Sequence, residues 1–332
     1  RTGELNHTRA DQHSGELAPR PAKLPPVLLI SRMSKRHPVV SVTGSSGAGT
    51  STVKRAFEHI FKREGITPAV VEGDSYHRYE RGPMKEAMAS AMAKGENFSH
   101  FGPEANLFDK LEQLFRSYGE TGTGEKRYYL HSVEEAAEHN ARLGTNLEPG
   151  QFTPWEPIPT GTDLLFYEGL HGGVKGDGYD VAGLADLLVG VVPIVNLEWI
   201  QKIARDNKER GYSAEATVDT ILRRMPDYIN HICPQFSQTD INFQRVPTVD
   251  TSNPFMIRDI PTPDESFVII HFRKGAREKW GIDFAYLLDM IHDSFMSSPT
   301  SIVVNGGKMG FAMELILTPI IHRMIEEKKR LA

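Results

Sequence analysis

The chain has 332 residues, 39% of them hydrophobic and 24% charged, a balance that fits a soluble globular protein with a substantial core. A formal net charge of −5 supplies no overall basic field, which argues against nucleic acid or an anionic membrane as partner. Cys233 is the only cysteine, so an intrachain disulfide is excluded and a reducing, cytoplasmic setting is expected.

Residues 1–32 are polar, mixed in charge and without periodicity, and the apolar run at 24–30 is too short for a secretory signal. A disordered extension that need not be native is expected there, with Met33 as the natural start and one domain over 33–332. Residues 39–43 form a β-branched run that predicts a strand. The small residues Gly44, Ser45, Ser46, Gly47, Ala48, Gly49, Thr50, Ser51 and Thr52 follow as a loop leading into a helix over 51–63. A second strand is expected at 69–74. Strand, helix and strand in this order make a βαβ unit and imply a parallel sheet. Further strands are predicted at 164–168, 187–195, 267–272 and 302–304, and helices at 106–118, 199–210, 214–231, 284–295 and 311–327, the last kinked at Pro319. The longest apolar stretch, 187–197, holds Gly190 and Pro193 and is too short to span a bilayer. The expected fold is α/β: an open, mostly parallel, twisted sheet flanked by helices, in a single domain.

Strand, glycine loop and helix is an arrangement that cradles nucleotide phosphates. Small residues let backbone N–H groups converge on the anion, and the helix N-terminus adds partial positive charge. The spacing of Gly44, Gly49 and Ser51 fits G-x-x-x-x-G-K-[ST], with Thr50 in place of the lysine; a chance glycine turn is the alternative. Ligands of a parallel sheet bind beyond the carboxyl ends of its strands, and two ends carry acids, Asp74 and Glu168. Phosphoryl transfer needs a carboxylate to take the acceptor hydroxyl's proton and an acid near the metal that bridges the phosphates. Asp74 suits the first role; Glu168, with Ser51, suits the metal side. Each acid could instead be a cap or turn residue.

His77, Arg78 and Arg81 follow Asp74 closely and suit a sugar phosphate, or are incidental surface charge. Lys202, Arg205 and Asp206 share one helix face, and Arg210 precedes the capping Gly211. Such a face could close over nucleotide phosphates or simply be solvated. Lys202 or Lys54 could supply the charge that Thr50 lacks. The histidines show no metal-ligand spacing.

Six stretches resemble phosphoribulokinase, in its bacterial branch: GSSGAGTST (44–52), VEGDSYHRYER (71–81), FSHFGPEAN (98–106), LLFYEGLHGGV (164–174), VVPIVNLEWIQKIARD (191–206) and PQFSQTDINFQRVPTVDTSNPF (234–255). The loop of that branch is similar in doing without the lysine, and the resemblance implies a P-loop NTPase-type fold in a single kinase domain. The resemblance implies ATP-dependent phosphorylation of D-ribulose 5-phosphate at its 1-hydroxyl, with Mg²⁺, giving the carbon dioxide acceptor of the Calvin cycle. It makes Asp74 the catalytic base and places Glu168 and Asp206 near the metal nucleotide. His77, Arg81, Lys202, Arg205 and Arg210 would bind or position phosphates and sugar. It also implies a homo-oligomer built from dimers, up to an octamer, with NADH or AMP as allosteric ligands. Two departures bear on regulation. His271 and Ser298 stand where NADH-regulated relatives carry arginine, beside an insertion around 274–280, and a lone Cys233 cannot form the thiol switch of the plant branch. A uridine- or pantothenate-kinase-like enzyme and a non-catalytic nucleotide-binding regulatory protein are the competing readings.

Overall fold

Eight strands, most of them rich in Val, Ile, Leu and Phe, pair into one sheet in the computed structural model, which describes residues 36–45, 50–256 and 259–331, the side chains of 50, 51, 209 and 210 excepted. The strands are β1 (Val39–Gly44), β2 (Pro68–Glu72), β3 (Leu164–Gly169) and β4 (Leu187–Val192). They continue as β5 (Ile241–Pro247), β6 (Ser266–Phe272), β7 (Phe295–Ser298) and β8 (Ser301–Asn305). Their order across the sheet is β7-β8-β6-β5-β4-β1-β3-β2. From β2 to β5 every neighbouring pair is parallel; β6, β8 and β7 then add antiparallel pairs. β1 is buried along its whole length, which explains its continuous apolar reading.

Alternate residues of the parallel strands feed two cores on opposite faces. Val40, Val42, Leu164 and Phe166 pack with Phe57 and Ile60 of α1 (Thr50–Glu64) and with Met313, Ile316, Leu317 and Ile320 of α9 (Met309–Leu331). Val39, Val71, Leu165 and Tyr167 pack with Leu111, Leu114 and Phe115 of α3 (Phe108–Thr121). Helices on both faces of a largely parallel sheet give the doubly wound arrangement, whose ligand crevice lies at the strands' carboxyl ends.

Several boundaries differ from the sequence expectation. The strand predicted at 187–195 stops at Val192, because Pro193 has no N–H to donate and Val195 already opens α5 (Val195–Arg210). The helix predicted at 284–295 ends at Met290 as α8 (Phe284–Met290); Asp293 takes a left-handed turn, φ 62°, and Phe295 begins β7. The helix predicted at 214–231 is α6 (Ala214–Asp227) followed by a π turn over Tyr228–Ile232. α9 continues through Pro319. The patterns at β5, β7, α2 (Arg81–Ala93), α4 (Val133–Leu143) and α7 (Ala276–Trp280) had no counterpart in the sequence reading. The expected extension over 1–32 lies outside the described residues.

Candidate active site

Three parallel strands end together at one crevice. β1, β2 and β3 are in register there, with Val42 and Glu72 each opposite Glu168. Beyond β2 the chain makes a 3₁₀ turn, Gly73–Tyr76, that carries Asp74. The turn sits directly on the end of β3. A Cβ on Gly169 would lie 2.6 Å from the Gly73 Cα, and one on Gly73 would lie 2.6 Å from the Tyr167 hydroxyl. Only two glycines permit this approach, and it sets Asp74 beside Glu168. The resulting cleft of about 290 Å³ is lined by Gly44, Glu72, Asp74, His131, Glu135 and Glu168, among others.

Asp74 is half-buried, with Oδ1 3.2 Å from the His77 Nε2 and Oδ2 3.5 Å from the His131 Nε2. Burial would raise its carboxyl, but the hydrogen bond and charge of His77, followed by His131 and His100, hold it well below the usual carboxylate range. His77 is itself buried, and burial works against its charge; Asp74 and then Asn106 nevertheless raise it. Its Nδ1 lies 2.7 Å from the Asn106 Oδ1. His100 and His171 stand next to His77, with ring centroids at 4.6 and 6.5 Å, and burial pushes both down to about 3. His171 Nε2 donates to the His100 carbonyl at 2.9 Å.

The Asp74 turn is tied from behind by Arg127. Its Nε donates to the Ser75 carbonyl at 2.8 Å and its Nη2 to the His77 carbonyl at 2.6 Å. The guanidinium lies 3.6 Å from the ring centre of Phe152 and 4.6 Å from that of Trp155. Burial brings this group down to about 10. Arg78 spends its guanidinium on the backbone carbonyls of Glu104 and Asn106. Arg81 opens α2 and is exposed, with Nη2 3.3 Å from the His131 carbonyl.

On the nucleotide side, Gly44 and Ser45 are buried and Thr52 is exposed in the first turn of α1. Ser46, Gly47, Ala48 and Gly49 lie outside the described residues, as do the side chains of Thr50, Ser51 and Arg210. Lys54 binds the Glu72 carboxylate at 2.8 Å. Burial works against the Lys54 charge, but Glu72 and then Glu168 raise it. On α5, Lys202 and Arg205 both pair with the buried Asp206, Arg205 at 3.5 Å. Burial lowers Lys202 despite Asp206, helped by Arg224 and Arg205. Burial, then His77 and Arg224, lower His100. Glu198, at the start of α5, is buried; burial raises its carboxyl against the Ser45 hydroxyl and the Tyr228 phenol, which donates at 2.9 Å.

The sequence reading did not contain the roles of Glu72, Asn106, Arg127, His131, Glu198 or Arg224. Glu72, Asn106 and Glu198 lie within the six family-like stretches, but their partners come from other elements of the chain. At the antiparallel end, His271 Nδ1 meets the Ser301 hydroxyl at 2.9 Å, and Ser298 pairs with the same Ser301 across the strands.

The description Phosphoribulokinase / Uridine kinase family matches residues 39–252. The chain belongs to this family. Within the phosphoribulokinase / uridine kinase family, the chromosomal phosphoribulokinase of Cupriavidus necator is 64% identical over 301 residues, 90% of this chain and 100% of the relative. The phosphoribulokinase of Nitrobacter vulgaris is 60% identical over 299 residues, again 90% of this chain and 100% of the relative. Among solved structures, phosphoribulokinase from Rhodobacter spheroides is 55% identical, covers 89% of this chain and 100% of its own, and superposes with a TM-score of 0.79. The doubly wound fold is thus that of a kinase family.

Proposed function

We propose that this chain is an ATP-dependent phosphoribulokinase that transfers the γ-phosphoryl group of ATP to the 1-hydroxyl of D-ribulose 5-phosphate. One observation carries the reading: an ionised Asp74 opens onto a cleft that it shares with Glu168 and with Gly44, where the phosphate loop begins. The sugar's O1 attacks the γ-phosphorus, the bond from that phosphorus to the ADP oxygen breaks, and the O1 proton passes to Asp74. His77 and His131 hold the carboxylate in place for it. Lys202, Arg205 and Arg210 offset charge on the phosphates, with Asp206 fixing the first two on α5.

Among the described residues no group of three or more His, Cys, Asp or Glu side chains could hold a metal ion. A cleft lined by carboxylates fits Mg²⁺, which binds through one or two acidic side chains together with substrate phosphates. Glu168 and Ser51 would hold it, and it would supply positive charge to offset that of the nucleotide phosphates. Arg81, exposed and bonded to the His131 carbonyl, would bind the sugar's 5-phosphate.

A coupled assay of ADP release tests the proposal. Release that depends on ribulose 5-phosphate, with ribulose 1,5-bisphosphate as product, is the expected result. Release no faster than without the sugar phosphate, or a kinetic preference for uridine or another unphosphorylated alcohol, overturns it.

A further inference from the structure

We propose that Asn106 is a positioning residue for phosphoryl transfer, fixing His77 as a doubly protonated donor to Asp74. The inference takes the role of Asp74 from the phosphoribulokinase reading, but the state of His77 follows from hydrogen-bond geometry alone. Asn106 is 1% exposed and immediately precedes the residue that caps α3. Its Nδ2 donates to two backbone carbonyls, of His100 at 2.9 Å and Gly102 at 2.7 Å. Carbonyls only accept, so the amide cannot be flipped, and the atom 2.7 Å from the His77 Nδ1 is the oxygen Oδ1. An amide oxygen there requires a proton on Nδ1. Across the ring, Nε2 faces the Asp74 carboxylate at 3.2 Å, which requires a second proton. An imidazole protonated on both nitrogens is a cation.

The surroundings show why this takes two acceptors. Among the described residues, Asp74 is the one carboxylate paired with the ring. His100 and His171 pack against it as neutral rings, and the Arg127 guanidinium, bonded to the His77 carbonyl, opposes a second positive charge. His131 faces the other oxygen of Asp74. Deprotonating His77 at either nitrogen would leave two lone pairs facing one another in a buried site. Asn106 therefore keeps the cation in being through neutral pH. The cation in turn holds Oδ1 of Asp74, so that Oδ2, which His131 faces, is the oxygen that receives the acceptor hydroxyl's proton.

The test separates this from a structural role. Replacing the amide with an apolar isostere, Asn106→Leu, removes an acceptor. The alkaline limb of the kcat/KM profile for the sugar phosphate then moves to lower pH by about one unit, while KM for ATP stays within about twofold. Asn106→Asp keeps an oxygen at that point and leaves the limb where it was or moves it up. Lowered activity in both variants with an unmoved limb overturns the proposal. Should either variant fail to fold, the wild-type protein still answers. With ¹⁵N-labelled histidine, and His77→Asn to identify the signal, both ring nitrogens of His77 are expected to be protonated at pH 8. A ring with one proton at pH 8 overturns the proposal, whichever substrate the enzyme proves to use.

Discussion

Gly73 and Gly169 touch backbone to backbone, so that a methyl group on Gly169 would stand 2.6 Å from the Gly73 Cα. The contact sets the separation between the turn that carries Asp74 and the strand end that carries Glu168. Gly169→Ala forces the two apart, because the obstructing atom belongs to the main chain and cannot rotate away. Overpacking of this kind destabilises by about 1–3 kcal/mol. We expect that loss in urea unfolding together with a fall in kcat of about tenfold or more, since small misplacements of reacting groups are costly. Unchanged kcat in a destabilised protein would show that the two carboxylates do not need this spacing.

Asp74→Asn keeps the shape of the side chain and removes its capacity to accept a proton. Loss of a general base lowers turnover by about 10²–10⁴. The Lys54–Glu72 pair and the α5 cations lie outside the change, so ATP affinity, followed through intrinsic tryptophan fluorescence, is expected to stay within about twofold. Near-normal turnover in this variant removes Asp74 from the mechanism.

Much of the crevice was legible in the chain because it is built from local signals. The β-branched run 39–43, the small residues after it and the acids at 74 and 168 mark strand ends directly, and the structure brings Asp74, Glu168 and Gly44 to one cleft. Lys202, Arg205 and Asp206 were readable from helical spacing and do pair on α5. Contacts between distant segments were not legible. Arg127 reaches the Asp74 turn over roughly fifty residues, and Asn106 reaches His77 over 29. Nothing in the residues nearby tells such an arginine from a surface one. The spacing of His77 after Asp74 suggests a phosphate ligand; the spacing does not show that His77 is buried with both ring nitrogens toward partners within the protein. The antiparallel end was partly hidden as well. β7 has few apolar residues, and α8 and β7 together imitate one long helix.

Arg127 supports the turn through two carbonyls at once and is stacked on Phe152 and Trp155. A lysine keeps the charge but cannot reproduce the planar fork. For Arg127→Lys we expect a loss of about 1–3 kcal/mol of stability, from a carbonyl left without its donor, and a larger proportional fall in kcat than in ATP affinity. Arg127→Met, which keeps apolar bulk and removes every donor, should lower kcat further. Wild-type kcat in both variants would mean that the turn holds itself.

His100 and His171 make the protein acid-labile. Each is held near 3 in the fold by burial, against about 6.5 in an unfolded chain. Between those values the unfolded chain binds a proton that the folded one refuses. Stability is therefore full above about pH 6.5 and declines as pH falls, by about 1.4 kcal/mol per unit for each histidine. The neighbouring pair acts differently: Asp74 is lowered, so its contribution persists down to acid pH, while His77 is raised, so its contribution is present at low pH and is lost only on the alkaline side. Neither cancels the decline between pH 6.5 and 5. Urea midpoints at pH 7 and pH 5 should differ clearly for the wild type. His171→Gln, which can still donate to the His100 carbonyl but does not titrate, should remove about half of the difference. Equal midpoints at the two pH values in the wild type would mean that water reaches these rings and that they are not held neutral by the fold.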